Sequence, residues 1–156
     1  MPFSGQVVSI NIAAGQGEPM QSLDSAAVVA GSGIEGDRYA QGLGKFSAKE
    51  GPDRQVTLIE SEAVEAVTQE TGIELTPEQT RRNIVTRDVP LNHLVGREFS
   101  VGDVVLRGLR LNEPCAYLAS LTTEGVSRAL VHRGGLRAEV VRGGTIRVGD
   151  PITPAL

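Results

Sequence analysis

Aromatic residues are nearly missing from this 156-residue chain, which has no tryptophan, two tyrosines and three phenylalanines. The stacking platforms that hold single-stranded nucleic acid are therefore lacking. There is no basic run either, and the formal net charge is −4. An acidic chain without such a run has little to offer a phosphate backbone, so no nucleic-acid partner is expected. Cysteine is reduced to one residue, Cys115, which rules out an intramolecular disulfide. No basic-then-apolar leader follows Met1, so the expected setting is cytoplasmic. No uncharged apolar run approaches the roughly 18 residues that a membrane helix needs, so no membrane association is expected.

Glycine, by contrast, is abundant, with 19 residues spread among short apolar runs. That pattern predicts a mainly β chain, a barrel-like fold with a few short helices, in a single domain over 1–156. Charge is unevenly divided. Residues 1–80 hold 12 acids and 4 bases, whereas 81–156 hold 7 acids and 11 bases, every one an arginine. Arginine's planar fork suits phosphate and carboxylate, so the second half is the place to look for an anion site. A solvated arginine surface accounts for the same count.

Alternation predicts strands over 6–13, 25–30, 54–59, from 83, 98–101, 104–111, 138–141 and 145–148. Gly102-Asp103 reads as a hairpin turn, Gly108 as a bulge, and Gly143-Gly144 as the junction of the last two strands. Ser61 is placed to cap a helix over 61–71, with Ala63, Val64 and Val67 on one face and Gly72 as its stop. Thr76-Pro77-Glu78-Gln79 has capping-box spacing. Residues 90–94, 116–121 and 124–131 have short helical character. The stretch from 33 to 52 has no periodicity and is long for a connection, which marks it as a functional loop.

Cys115 follows Pro114 at the end of a predicted strand and precedes a predicted helical turn. Free backbone N–H groups there favour a thiolate. A small buried hydrophobe is the other reading. Arg81-Arg82-Asn83 at a strand entrance can grip and orient an anion, and His132-Arg133-Gly134-Gly135 can cradle one on bare amides. Surface charge and a helix C-cap explain these two stretches equally well. His132 is the better candidate for a base beside a nucleophilic Cys115. Asp37, after Gly36, suits a turn that bonds its own backbone as well as it suits catalysis.

In their order and spacing these pieces resemble the MOSC domain, the C-terminal module of molybdenum-cofactor sulfurases. The match runs through Gly36-Asp37-Arg38, Arg54-Gln55-Val56-Thr57-Leu58, Arg82-Asn83-Ile84-Val85, Gly96 with Val101-Gly102-Asp103, Glu113-Pro114-Cys115, Arg133-Gly134-Gly135-Leu136-Arg137-Ala138 and Gly144-Thr145-Ile146 with Gly149-Asp150. It is strongest over 33–151.

The resemblance implies a barrel-like fold and a functional Cys115, either carrying persulfide sulfur or ligating molybdenum on a molybdopterin. It implies a cofactor-binding set of Arg54, Arg81, Arg82, Asn83, Arg133, Gly134 and Gly135. It also implies a partner, a pyridoxal-phosphate-dependent cysteine desulfurase or an electron donor, because the chain has room for neither a desulfurase domain nor the extra barrel of amidoxime-reducing relatives. Asn112 stands where some relatives have a second cysteine, and Tyr39 where several have histidine. Three functions follow: a molybdenum-cofactor or sulfur-carrier component, a self-contained thiol enzyme, or a non-catalytic interaction domain.

Overall fold

A computed structural model describes residues 2–42, 44, 54–114 and 125–155. The strands are β1 (Gly5–Ile12), β2 (Gln21–Leu23), β3 (Ser25–Val29), β4 (Gly33–Ile34), β5 (Val56–Glu60), β6 (Ile84–Arg87), β7 (Glu98–Val101), β8 (Val104–Leu111), β9 (Leu136–Arg142), β10 (Gly144–Arg147) and β11 (Pro151–Pro154). Among the described residues two α-helices, α1 (Ser61–Thr71) and α2 (Val126–Ala129), join them, with 3-10 turns at Pro77–Thr80 and Leu91–Leu94; the helical turn expected over 116–121 lies outside the described residues. Seven strands close a barrel in the order β11–β7–β8–β9–β5–β6–β1, with β1 returning to β11 and β2 extending from β1. The predicted mainly-β barrel is what forms.

Closure follows from alternation. Val56 and Leu58 of β5, Leu136, Ala138 and Val140 of β9, and Val104 and Leu106 of β8 point into one buried cluster with Phe99, Val101, Ile10 and Ile84. The intervening residues therefore point outward. The pair β5–β6 is parallel, with Leu58 beside Ile84. Parallel neighbours need a crossover, and α1 provides it. Its apolar face, Ala63, Val64 and Val67, covers the outward-facing Ile59 and Val85 together with Val126 and Leu130 from the α2 segment. Gly72 ends α1 in the left-handed conformation at φ 72°, its N–H donating to Thr68 O.

Several local expectations need revision. Ser61 is the first residue of α1 and not its cap; Glu60 holds the cap position in extended conformation. The last two predicted strands do meet at Gly143, as β9 and β10, without being hydrogen-bonded to each other. Instead β10 leaves the barrel and pairs with β3, within a separate sheet β10–β3–β4. Three short strands, β2, β4 and β11, were not expected from the sequence. The Gly102-Asp103 hairpin forms between β7 and β8. The register of β8 against β9 slips between Gly108 and Arg110, as a bulge there requires. The expected capping box forms between Thr76 and Gln79, the Gln79 side chain accepting the Thr76 amide at 2.9 Å. No helix among the described residues is long and apolar enough to cross a membrane.

Candidate functional site

Two successive rungs of the barrel wall set the site. In the inner rung Leu111, Leu136, Leu58, Ile84 and Ile10 are paired in turn across β8, β9, β5, β6 and β1. One residue away, facing outward, Arg110 pairs with Arg137 and Arg137 with Thr57. Asn83 continues this outer rung: its N–H donates to Thr57 O, and its carbonyl accepts the Asn11 amide. A polar row, Arg110–Arg137–Thr57–Asn83–Asn11, thus crosses five adjacent segments of the wall.

Asn83 is buried within that row. Its Oδ1 accepts from the Thr57 amide at 3.0 Å and the Thr57 hydroxyl at 3.2 Å, and its Nδ2 donates to Asn11 O at 3.1 Å. This amide adds side-chain hydrogen bonds to the backbone ones that already join the three segments. Beyond it, the end of β1 is held by Asp37. That carboxylate is fully buried and accepts the Ala13 amide at 3.1 Å and Arg38 Nη1 at 3.0 Å. Arg38 also donates to Arg81 O and lies 4.7 Å from the Tyr39 ring centroid. The Gly36-Asp37-Arg38 motif is therefore a buried ion pair that ties the loop after β4 to the wall.

The strand end before Cys115 is braced by Arg82. Its side chain is only 7% exposed. Nε donates to Gly134 O at 2.8 Å, Nη1 to Thr80 O at 3.0 Å and Nη2 to Asn112 O at 2.9 Å. Asn112 is the hub: its N–H donates to Gly135 O at 2.7 Å and its Oδ1 accepts Arg137 Nε at 3.0 Å. The glycines allow this convergence. A Cβ on Gly134 would lie 2.4 Å from Asn112 O, and one on Gly135, which has φ 106°, would lie 1.9 Å from Leu58 O. No larger residue fits between these backbones.

The structure thus brings together Arg82, Gly134 and Gly135 of the predicted set, with Asn83 one residue from Arg82. The Arg133 guanidinium turns elsewhere, pairing with Glu70 of α1 and donating to Ala129 O at 2.7 Å. The Arg133–Glu70 hydrogen bond, together with their opposite charges, holds the Glu70 carboxyl below the usual range and raises Arg133. Arg81 donates to Glu18 O at 2.7 Å and lines a separate open groove of about 340 Å³ with Gly17, Pro19, Met20, Glu78 and Gln79. Arg54 is half-buried just before β5, three residues from Thr57. Cys115, the predicted catalytic and metal-ligating residue, lies outside the described residues. Among those described, no group of three His, Cys, Asp or Glu side chains is placed to hold a metal ion.

Four residues not predicted as site residues gather at the same strand end: Arg110, Asn112, Glu113 and Arg137. The usable sequence signal was parity. Arg110 and Asn112 alternate with the inward-facing Leu111, as Arg137 alternates with Leu136. The cross-strand register that makes them neighbours has no local signature.

No curated protein matches the chain. Among solved structures it is similar to the YuaD protein of Bacillus subtilis, at 18% identity over 100% of this chain and 99% of that one, with a TM-score of 0.79. It is also similar to YiiM of Geobacillus stearothermophilus, at 16% identity over 97% of this chain and 75% of that one, with a TM-score of 0.74. For YiiM of Escherichia coli the figures are 17% identity, coverage of 100% and 70%, and a TM-score of 0.68. At these identities the likeness is one of fold. The family model for the MOSC domain matches residues 45–153, which take in β5 to β10, most of β11 and the Arg82–Asn112–Gly134 brace. By that match, on the barrel it accompanies, the chain belongs to the MOSC domain family.

Proposed function

We propose that the chain is a single MOSC unit acting as a molybdenum-cofactor or sulfur-carrier component, with Cys115 ligating molybdenum or carrying a persulfide. In this reading Arg110 and Arg137 grip the anionic part of a pterin cofactor. The observation that supports it is their register. They are Cα partners across β8 and β9, on the strand end that leads through Asn112 to Cys115. Two guanidinium groups on one face of the strand end could each offer a phosphate a charge-assisted contact. Asn112 fixes one of the two by accepting Arg137 Nε.

The donor set fits a molybdopterin. A thiolate suits a soft metal, and paired guanidinium groups suit a phosphate. A bound molybdenum would supply redox chemistry. The chain's own part is to present one thiol and to hold the anionic group beside it. Arg82 and Asn83 contribute by bracing the wall, and a cytoplasmic setting would keep the thiol reduced. A pyridoxal-phosphate-dependent cysteine desulfurase would load the sulfur, or an electron-donor protein would serve the metal.

Protein purified from a host that makes the cofactor tests this reading through elemental analysis and intact mass. Molybdenum, or an added sulfur of about 32 Da lost in Cys115→Ser, is the expected result. Arg110→Gln and Arg137→Gln should each weaken cofactor or phosphate binding about tenfold, the loss of one charge-assisted contact. Neither metal nor sulfur in the wild type, with unchanged phosphate binding in both variants, would overturn it.

A further inference from the structure

We infer that Met20 is a peroxide-sensitive modification site whose sulfoxide is held by Arg38, tightening the clamp next to Arg82. The chain has two methionines. Met20 is the residue before β2; it is partly exposed and lines the open groove of about 340 Å³ that Arg81 also borders. The groove gives a small oxidant a path to this side chain. Its Sδ lies 3.8 Å from Arg38 Nη1, a long contact to a weak acceptor. The same nitrogen donates to Asp37 Oδ1 at 3.0 Å, and Nη2 donates to Arg81 O at 3.2 Å. One guanidinium, on a residue 6% exposed, thus touches the residue before β2, the loop after β4 and the residue before Arg82. A methionine used as core filler packs its sulfur among apolar or aromatic groups. This sulfur instead meets a charge on a residue that lines an open groove with it on the other side.

Oxidation changes the acceptor. A sulfur lone pair attacks one oxygen of hydrogen peroxide, and the S–O bond forms as the O–O bond breaks. The departing hydroxide takes the proton from the oxygen now on sulfur and leaves as water. Sulfur loses two electrons and the peroxide gains them. The product carries a polar oxygen where the thioether offered only a weak acceptor. Set on a sulfur 3.8 Å from Nη1, that oxygen comes within hydrogen-bond reach of Arg38. A charge-assisted bond of this kind is about twice as strong as a neutral one. Methionine oxidation ordinarily disrupts packing. Here it turns a weak sulfur contact into a strong oxygen one, so the sign reverses and the oxidised chain is the more stable. Arg38 also holds Arg81 O, so the tightened clamp bears on the strand entrance at Arg82 and Asn83. A methionine sulfoxide reductase would restore the thioether, which makes the change reversible.

Treating the full chain with hydrogen peroxide, followed by peptide mass mapping and thermal melting, tests the inference. Met20 should gain one oxygen, about 16 Da. The melting temperature should rise by about 2–6 °C, the gain from one charge-assisted contact after its ordering cost. Met20→Leu keeps the volume and removes the sulfur, so it should fold and show no such rise under the same treatment. Met1 and Cys115 are common to both proteins, so the difference between them reports Met20. Reduction by a methionine sulfoxide reductase should return the wild type to its starting melt. Untreated Met20→Gln offers Arg38 an amide oxygen in place of the sulfoxide oxygen and should melt above Met20→Leu. Four results would each overturn the inference. They are a Met20 left unmodified at a peroxide dose that converts free methionine, a treated wild type that gains no more than treated Met20→Leu, a rise that survives the reductase, and a Met20→Gln that melts no higher than Met20→Leu. Metal and sulfur content play no part in these readouts, so the outcome is independent of the proposed function.

Discussion

Replacing Arg82 by alanine separates two roles that its sequence context leaves open. In the structure its guanidinium donates to the carbonyls of Thr80, Asn112 and Gly134 at 3.0, 2.9 and 2.8 Å, from a side chain 7% exposed. A hydrogen bond to a charged donor contributes about 1.5–3 kcal/mol, so three set a ceiling of roughly 4.5–9 kcal/mol. Water entering the vacated space would satisfy some of the carbonyls, which brings the expected loss to about 3–5 kcal/mol. For a chain of this size each kcal/mol lowers the melting temperature by about 2–4 °C, so Arg82→Ala should melt roughly 6–20 °C lower. Urea denaturation monitored by far-ultraviolet circular dichroism measures the difference directly. Arg82→Lys should recover only part of it, because a single ammonium nitrogen cannot span three carbonyls on separate segments. A loss under about 1 kcal/mol, the range of an exposed contact, would refute the brace and return Arg82 to the role of a direct anion ligand.

Two further outcomes follow from the same geometry. Gly135→Ala should lose at least about 2–3 kcal/mol, because its Cβ would sit 1.9 Å from Leu58 O at a φ of 106°; a melting temperature within error of wild type would refute this. Glu60, whose carboxyl is raised by burial and then by Glu62, against opposing effects of the Leu91 amide and His93, should make the protein less stable once ionised. Its contribution is most favourable below the ordinary glutamate value of about 4.3 and is lost as pH rises through the higher folded value. Glu60→Gln should therefore raise the melting temperature at pH 7 and not below pH of about 4, and an equal gain at both would show that charge is not the cause.

Much of the barrel was legible because its causes are local. Alternation along Val104–Leu111 and Val56–Glu60 states which residues face the core, and the Ala63–Val64–Val67 face followed by Gly72 states a helix and its stop. The short strands β2, β4 and β11 were not legible, since two to four residues carry too little periodicity to separate them from loop. Nor was the pairing of β10 with β3, which depends on segments more than 110 residues apart in sequence coming together.

The candidate site divides in the same way. Cys115, the arginine-rich second half and the paired glycines are facts of sequence, and together they state what chemistry the chain can carry. Which acceptors each guanidinium finds is not a property of the residue type. Arg82 finds its acceptors 30 and 52 residues away, Arg133 finds Glu70 63 residues away, and Glu113 reaches His132 across 19. A long flexible side chain has many acceptors within reach in an unfolded chain. Only closure of the barrel, by bringing β8, β9 and β5 into register, selects one set and fixes its geometry.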